Sequence, residues 1–184
     1  VRLPLDILVV ATANPEDYTS RGRIITPLKD RFDVQIKTHY PLKKEDEIAI
    51  MEQEVRSLPM NGLEISVPKF IKDIIAEVTF QARSSTEINQ HSGVSCRVTI
   101  RSYEAIRGSA LRRCLELNEK VIVPRITDIE AIYPAVVGKL EMEYELLDSK
   151  IGDFMTNLAQ RAVKVVFDNY FKIEQLASIT KCFQ

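Results

Sequence analysis

The run Ile7-Leu8-Val9-Val10-Ala11 constrains what this chain can fold into more than any other segment. Five consecutive apolar residues, β-rich and without alternation, describe a strand covered on both faces, the pattern of an interior strand in a parallel sheet. Such a strand needs a hydrogen-bonding neighbour on each edge. The sequence predicts one further strand nearby, where Phe32, Val34 and Ile36 alternate with Asp33, Gln35 and Lys37 before Pro41 closes the segment. Two strands cannot enclose one of themselves. The missing neighbours are expected from upstream sequence, from another chain, or from a rearrangement of this one. The chain also opens at Val1, without Met, and enters the apolar run almost at once, so it reads as a stretch of a longer protein.

Beyond Pro41 the pattern becomes helical. Residues 43–57 carry Ile48, Met51 and Val55 at helical spacing, with acids early and Arg56 late, as a helix dipole favours. Residues 58–67 contain Pro59 and Gly62 without periodicity and read as a linker. Pro68 suits a first helical turn, and behind it Phe70, Ile71, Ile74, Ile75, Val78 and Ala82 form one stripe. A polar loop over 84–96 leads to a helix predicted over 99–118, with Ile100, Tyr103, Ile106, Ala110, Leu111, Cys114 and Leu117 on one face. Thr127-Asp128-Ile129-Glu130 fits a capping box, with the Thr127 hydroxyl accepting from the Glu130 amide and the Glu130 carboxylate reaching back. Pro134 keeps that helix short. A long helix over 148–175 places Ile151, Phe154, Met155, Leu158, Ala162, Val165 and Val166 in register.

Bulk composition excludes more than it identifies. The 184 residues are 45% hydrophobic and 28% charged, as in ordinary globular proteins. A net charge of −1 gives no steering towards nucleic acid or an anionic membrane. Arg107, Arg112 and Arg113 share one predicted helix, but the acids around them make a solvated face the better reading than a nucleic-acid surface. No apolar run is long enough to span a membrane, and no signal peptide is visible. Cys96, Cys114 and Cys182 are odd in number and widely spaced, which fits reduced thiols in the cytoplasm. His39 and His91 are too few for a metal cluster, so no metal ligands are expected in this chain.

Three positions could carry chemistry. Asn14 ends the apolar strand, at the edge where open α/β sheets bind ligands, and its amide can orient a water or a phosphate oxygen. Arg31, in Leu28-Lys29-Asp30-Arg31-Phe32, offers a permanently charged planar fork suited to a phosphate undergoing transfer. Arg21 and Arg23, flanking Gly22, compete with it for that role. Arg97 follows Ser92-Gly93-Val94-Ser95-Cys96 ahead of a helix, so its direction is set by a helix start. Taken singly, each also has a plain structural reading: a turn at Asn14-Pro15, an Arg31–Asp30 surface pair, and a solvated loop at Arg97.

Together, Asn14-Pro15 after a strand, Asp30-Arg31-Phe32 before the next, Gly-Val-Ser-x-Arg at 93–97 and Val-x-Arg-Ile-Thr-Asp-Ile at 123–129 resemble the AAA+ ATPases of the magnesium-chelatase I-subunit and MoxR-like group. The resemblance covers roughly residues 3–145 and rests on the order and spacing of these motifs. It implies a mainly α chain with a small α/β portion: the end of an AAA+ P-loop α/β core over 1–57, a linker over 58–67, a helical lid domain over 68–147 and a C-terminal helix over 148–184. It implies that Asn14 takes the sensor-1 place, Arg31 the arginine-finger place in a neighbouring protomer's site, and Arg97 the sensor-2 place in the lid. ATP and Mg2+ are the cofactors implied for the intact protein, and its partners are other protomers of a ring oligomer and a remodelled partner protein.

The sequence departs from that family in two respects. It holds no G-x-x-x-x-G-K-[ST] and no apolar strand ending in Asp-Glu, both of which precede the strand at Ile7 in the family. This chain alone is therefore expected to be inactive and to bind no ATP tightly. The Tyr18-Thr19-Ser20-Arg21-Gly22-Arg23 insert is unlike that of the chelatase subunit proper, which points to a chelatase-related branch rather than to metal insertion into porphyrin. The alternative is a non-catalytic helical interaction module, or a strand-exchanged oligomer derived from an AAA+ lid.

Overall fold

The computed structural model describes residues 6–12, 31–58, 62–89, 92–142, 148–172 and 176. The chain divides into two compact units, Val1–His39 and Tyr40–Gln184. Within the first, residues 7–12 and 34–39 hold no regular secondary structure. Leu8 and Val10 are 91% and 80% exposed, and Val34 and Ile36 are 72% and 80% exposed. The strands expected at 7–11 and 32–36 are thus not formed. The physical reason is the one stated for an interior strand: it needs partners on its edges, and among the described residues none pairs with either segment.

The second unit is mainly helical. Among its described residues the helices are α1 (Lys44–Glu54), α2 (Lys69–Ser84), α3 (Cys96–Glu116), α4 (Ile132–Val136) and α5 (Asp148–Tyr170). Helix α2 follows its sequence pattern closely. Pro68 occupies the N-cap, and Ile71, Ile74, Ile75, Val78 and Ala82 are all buried along one face. That face is the centre of the core. Against it pack Met51 of α1, Val98, Tyr103 and Ile106 of α3, Ile132 and Val136 of α4, and Phe154, Met155, Leu158, Ala162 and Val166 of α5. Helix α5 therefore lays its apolar stripe on α2 within the same unit.

Helix α3 begins at Cys96, nearly a turn before the expected start, after Ser95 in extended conformation. It ends in a Schellman arrangement: Asn118 takes φ 52°, and the Glu119 amide donates to the Cys114 carbonyl at 2.9 Å. The turn returns the chain so that β2 (Val121–Ile122) pairs in parallel with β1 (Glu64–Ile65), Glu64 opposite Val121 and Ile65 opposite Ile122. The first strand of this two-stranded sheet, β1, lies within the 58–67 segment read as linker. The sheet encloses a second small cluster of Ala110, Cys114 and Ile122.

The capping arrangement near Thr127 also differs from expectation. A 3₁₀ helix spans Ile126–Ala131 with Arg125 at its N-cap. It is the Asp128 carboxylate, not that of Glu130, that reaches back, accepting from the Arg125 amide at 2.7 Å. Asp128 wins because it is buried among cationic and hydroxyl partners, whereas Glu130 is exposed.

Candidate functional site

A cluster of polar side chains in the helical unit surrounds a carboxylate. Glu47 lies one turn before Met51 on α1, so the two share a face, and both are fully buried. A buried carboxylate is tolerable only when its oxygens are paired. Arg83, in the last turn of α2, donates Nη1 to Glu47 Oε2 at 2.9 Å and Nη2 to Glu47 Oε1 at 3.1 Å. The Thr99 hydroxyl of α3 donates to Glu47 Oε1 at 2.5 Å and shares a 2.8 Å hydrogen bond with the Thr79 hydroxyl of α2. Arg83 also donates Nε to the Val94 carbonyl at 2.9 Å, immediately ahead of α3. Its guanidinium lies 4.6 Å from the centre of the Tyr40 ring and 5.4 Å from that of the Phe80 ring, two cation–π contacts beside the ion pair.

Tyr40 in turn fixes the loop before α3. Gly93 takes φ +66°, and a Cβ built there would sit 2.5 Å from the Tyr40 hydroxyl. A positive φ favours glycine, and a side chain there would have to displace the Tyr40 ring tip. Next in the chain, Cys96 places its sulfur 3.7 Å from both Glu47 Oε2 and Arg83 Nη2. Burial, followed by the Glu47 charge, pushes the Cys96 thiol above its ordinary pKa. It stays a neutral S–H that donates to Glu47.

Arg97 stands directly beyond this cluster, in the first turn of α3. Its neighbours Val94, Val98 and Thr99 are buried, yet Arg97 itself is exposed. Among the described residues it makes no hydrogen bond, ion pair or ring contact. Most other arginines of the α3 region are committed. Arg101 pairs with Glu104 at 2.5 Å. Arg107 is 7% exposed and donates to the Arg56 carbonyl at 3.1 Å. Arg113 pairs with Asp128 at 2.9 Å and Glu119 at 3.2 Å. Of the trio Arg107, Arg112 and Arg113, only Arg112 is exposed, so these three do not form a common basic face.

The Arg113–Asp128 pair anchors a second network behind α3. Asp128 Oδ1 accepts from the Ser109 hydroxyl at 2.9 Å, and Arg113 Nη2 also reaches the Val123 carbonyl at 2.7 Å. Burial alone would raise the Asp128 pKa, but hydrogen bonds from the Arg125 amide, Arg113 and Ser109 outweigh it and hold the group below its ordinary value. A depressed folded-state pKa adds stability that is present above the unfolded-state value of about 3.9 and is lost as pH falls through the folded one. Asp128→Asn is accordingly expected to lower unfolding free energy at pH 7 by about 1–3 kcal/mol. Urea titrations from pH 7 down to 2 should show a flatter acid limb in the variant than in the parent.

A third feature is an apolar groove of about 700 Å³ between α5 and the Ile126–Ala131 turn, lined by Ile126, Ile129, Tyr133, Met155, Ala159 and Phe167. Tyr133 and Phe167 are 38% and 43% exposed on it.

Of the residues singled out from sequence, Asn14 lies outside the described residues, as do Arg21 and Arg23. Arg31 is exposed in the Val1–His39 unit, and Arg97 is exposed in the Tyr40–Gln184 unit. Sequence reasoning missed Glu47, Arg83 and Thr99. The available signal was register: Glu47 precedes Met51 by four residues, so it had to share the stripe that buries Met51.

Among the described residues, no group of three His, Cys, Asp or Glu side chains could hold a metal ion. Nor is any described helix long and apolar enough to cross a membrane. Comparison with protein-family models, with curated proteins and with solved structures returned no match.

Proposed function

We propose that this chain is the C-terminal portion of a chelatase-related AAA+ ATPase that couples ATP hydrolysis to remodelling of a partner protein. In this reading the intact protein works in the cytoplasm as a ring of like protomers, and the Tyr40–Gln184 unit carries the lid. One observation supports it above the others: a guanidinium on a firmly held helix start, Arg97, is exposed and unpaired among the described residues. A phosphate-sensing cation has to combine a fixed base with freedom from carboxylates, which would otherwise compete for its fork of donors. Arg97 is the lid cation that closes on the phosphates, Arg31 is the finger offered to a neighbouring protomer, and Asn14 orients the attacking water.

In this reading the chain contributes accessory groups to an ATP site rather than its cradle. They offer cations, while the sequence contains no phosphate-binding loop. ATP with Mg2+, when bound to the intact protein, supplies the phosphoryl group that passes to water. The 184-residue chain by itself is expected to bind ATP negligibly and to hydrolyse none, whereas the full-length protein hydrolyses it. A coupled phosphate-release assay on both distinguishes the outcomes. Hydrolysis by the pure chain, or none by the full-length protein, contradicts the proposal.

A second reading, a non-catalytic interaction module, is favoured by the apolar groove beside α5 and by the exposure of Leu8 and Val10. It shares the inactive chain but requires an inactive full-length protein as well.

A further inference from the structure

We infer, on the reading of Arg97 just given, that Glu47, Arg83 and Thr99 are positioning residues that set the direction of Arg97 and so couple the α1–α2 pair to nucleotide sensing. The geometry confines Val94, Val98 and Thr99 and ties Cys96 to the pair, but leaves Arg97 itself outside. Two residues before α3, the Val94 carbonyl accepts from Arg83 Nε at 2.9 Å. At the first helical residue, Cys96 sits 3.7 Å from both members of the Glu47–Arg83 pair. Two residues beyond Arg97, Thr99 donates to Glu47 at 2.5 Å. Val98 is 1% exposed in the core. Residues on both sides of Arg97 are thus tied, through one carbonyl and two side chains, to one carboxylate and one guanidinium contributed by other helices.

The chemistry of the pair makes the tie directional. A carboxylate accepting two parallel N–H donors from one guanidinium fixes distance and plane together, which a lysine ammonium in the same place cannot do. Tyr40, 4.6 Å from the Arg83 guanidinium, places its hydroxyl beside Gly93 and so joins the loop before α3 to the same cluster. A rotation of α1 against α2 must therefore drag the start of α3 with it, and Arg97 moves as part of that start.

The test is a double-mutant cycle on ATP turnover by the full-length protein, using Arg83→Lys and Arg97→Ala. Arg97→Ala is expected to lower kcat on the order of 10²-fold, as loss of one charge-stabilising donor does. Arg83→Lys keeps the positive charge but loses the fork, and is expected to lower kcat roughly tenfold, with the nucleotide KM changed less, through misplacement of Arg97. In the Arg97→Ala background the same Arg83→Lys change is expected to cost less than about twofold, because coupled sites are non-additive. Thr99→Val, which removes one donor from Glu47 and leaves the ion pair, carries the same cycle if Arg83→Lys does not fold. If the Arg83→Lys loss recurs in full without Arg97, or is absent with it, the positioning role is overturned while the ATPase reading stands. If Arg97→Ala leaves kcat unchanged, both are overturned.

Discussion

Replacing Glu47 with Ala is expected to lower the unfolding free energy of the helical unit by about 3–5 kcal/mol, the cost of leaving a buried charge without its partner. Glu47 is fully buried, and the Arg83 side chain is only 13% exposed. Without the carboxylate, two guanidinium nitrogens and the Thr99 hydroxyl lose their acceptor at one stroke. Domains of this size have total stabilities of roughly 5–15 kcal/mol, so the variant should approach marginal folding. Urea denaturation followed by far-ultraviolet circular dichroism measures the loss. Glu47→Leu combined with Arg83→Met should recover most of it, because apolar replacement of both partners is often neutral or stabilising. A loss below about 1 kcal/mol for Glu47→Ala would place the pair in the range of solvent-screened surface bridges and contradict its role as an internal clamp.

The largest effect on activity is expected at Arg31. In the full-length protein, Arg31→Ala should leave ATP affinity nearly unchanged and lower turnover on the order of 10³-fold or more, equivalent to roughly 4 kcal/mol of transition-state stabilisation. The separation arises because a finger acting from a neighbouring protomer stabilises charge that develops during transfer and adds little to ground-state binding. Arg31 is exposed, which an arginine acting across a boundary requires. Mixed oligomers of parent and variant protomers give the decisive readout. Turnover should fall as variant protomers are added, even though each parent site keeps its own nucleotide contacts. Unchanged turnover would transfer the role to Arg21 or Arg23.

The legible parts of this sequence are those whose signals are local. The stripe from Ile71 to Ala82 repeats at three- and four-residue spacing, and α2 follows it. The stripe of α5 is equally regular, and Phe154, Met155, Leu158, Ala162 and Val166 are buried. The parallel pairing of Glu64–Ile65 with Val121–Ile122 was not legible, because two-residue strands carry no period and their partners are distant in the chain. The runs at 7–11 and 32–36 carry a strong local strand pattern, but pairing depends on an edge that a local pattern cannot supply.

The candidate site divides in the same way. Arg97 was singled out from the Gly-Val-Ser-x-Arg order, and the structure adds that it is exposed beside a Gly93 whose positive φ favours glycine. The clamp beneath it was not recognisable. Glu45, Asp46 and Glu47 open α1 as three consecutive acids, ordinarily a solvated first turn, and only register with Met51 separates Glu47 from the other two. The shift of the cap from Thr127 to Arg125 has a similar cause. Asp128 is drawn inward by Arg113 and Ser109, contacts that no four-residue motif encodes.

The central claim is that Arg97 meets the phosphates of a bound nucleotide. A structure of the full-length protein with a non-hydrolysable ATP analogue tests it most directly. It should show the Arg97 guanidinium within about 3 Å of a phosphate oxygen, with the Glu47–Arg83–Thr99 contacts intact behind it. An occupied nucleotide site with Arg97 facing solvent on a different surface would contradict the claim.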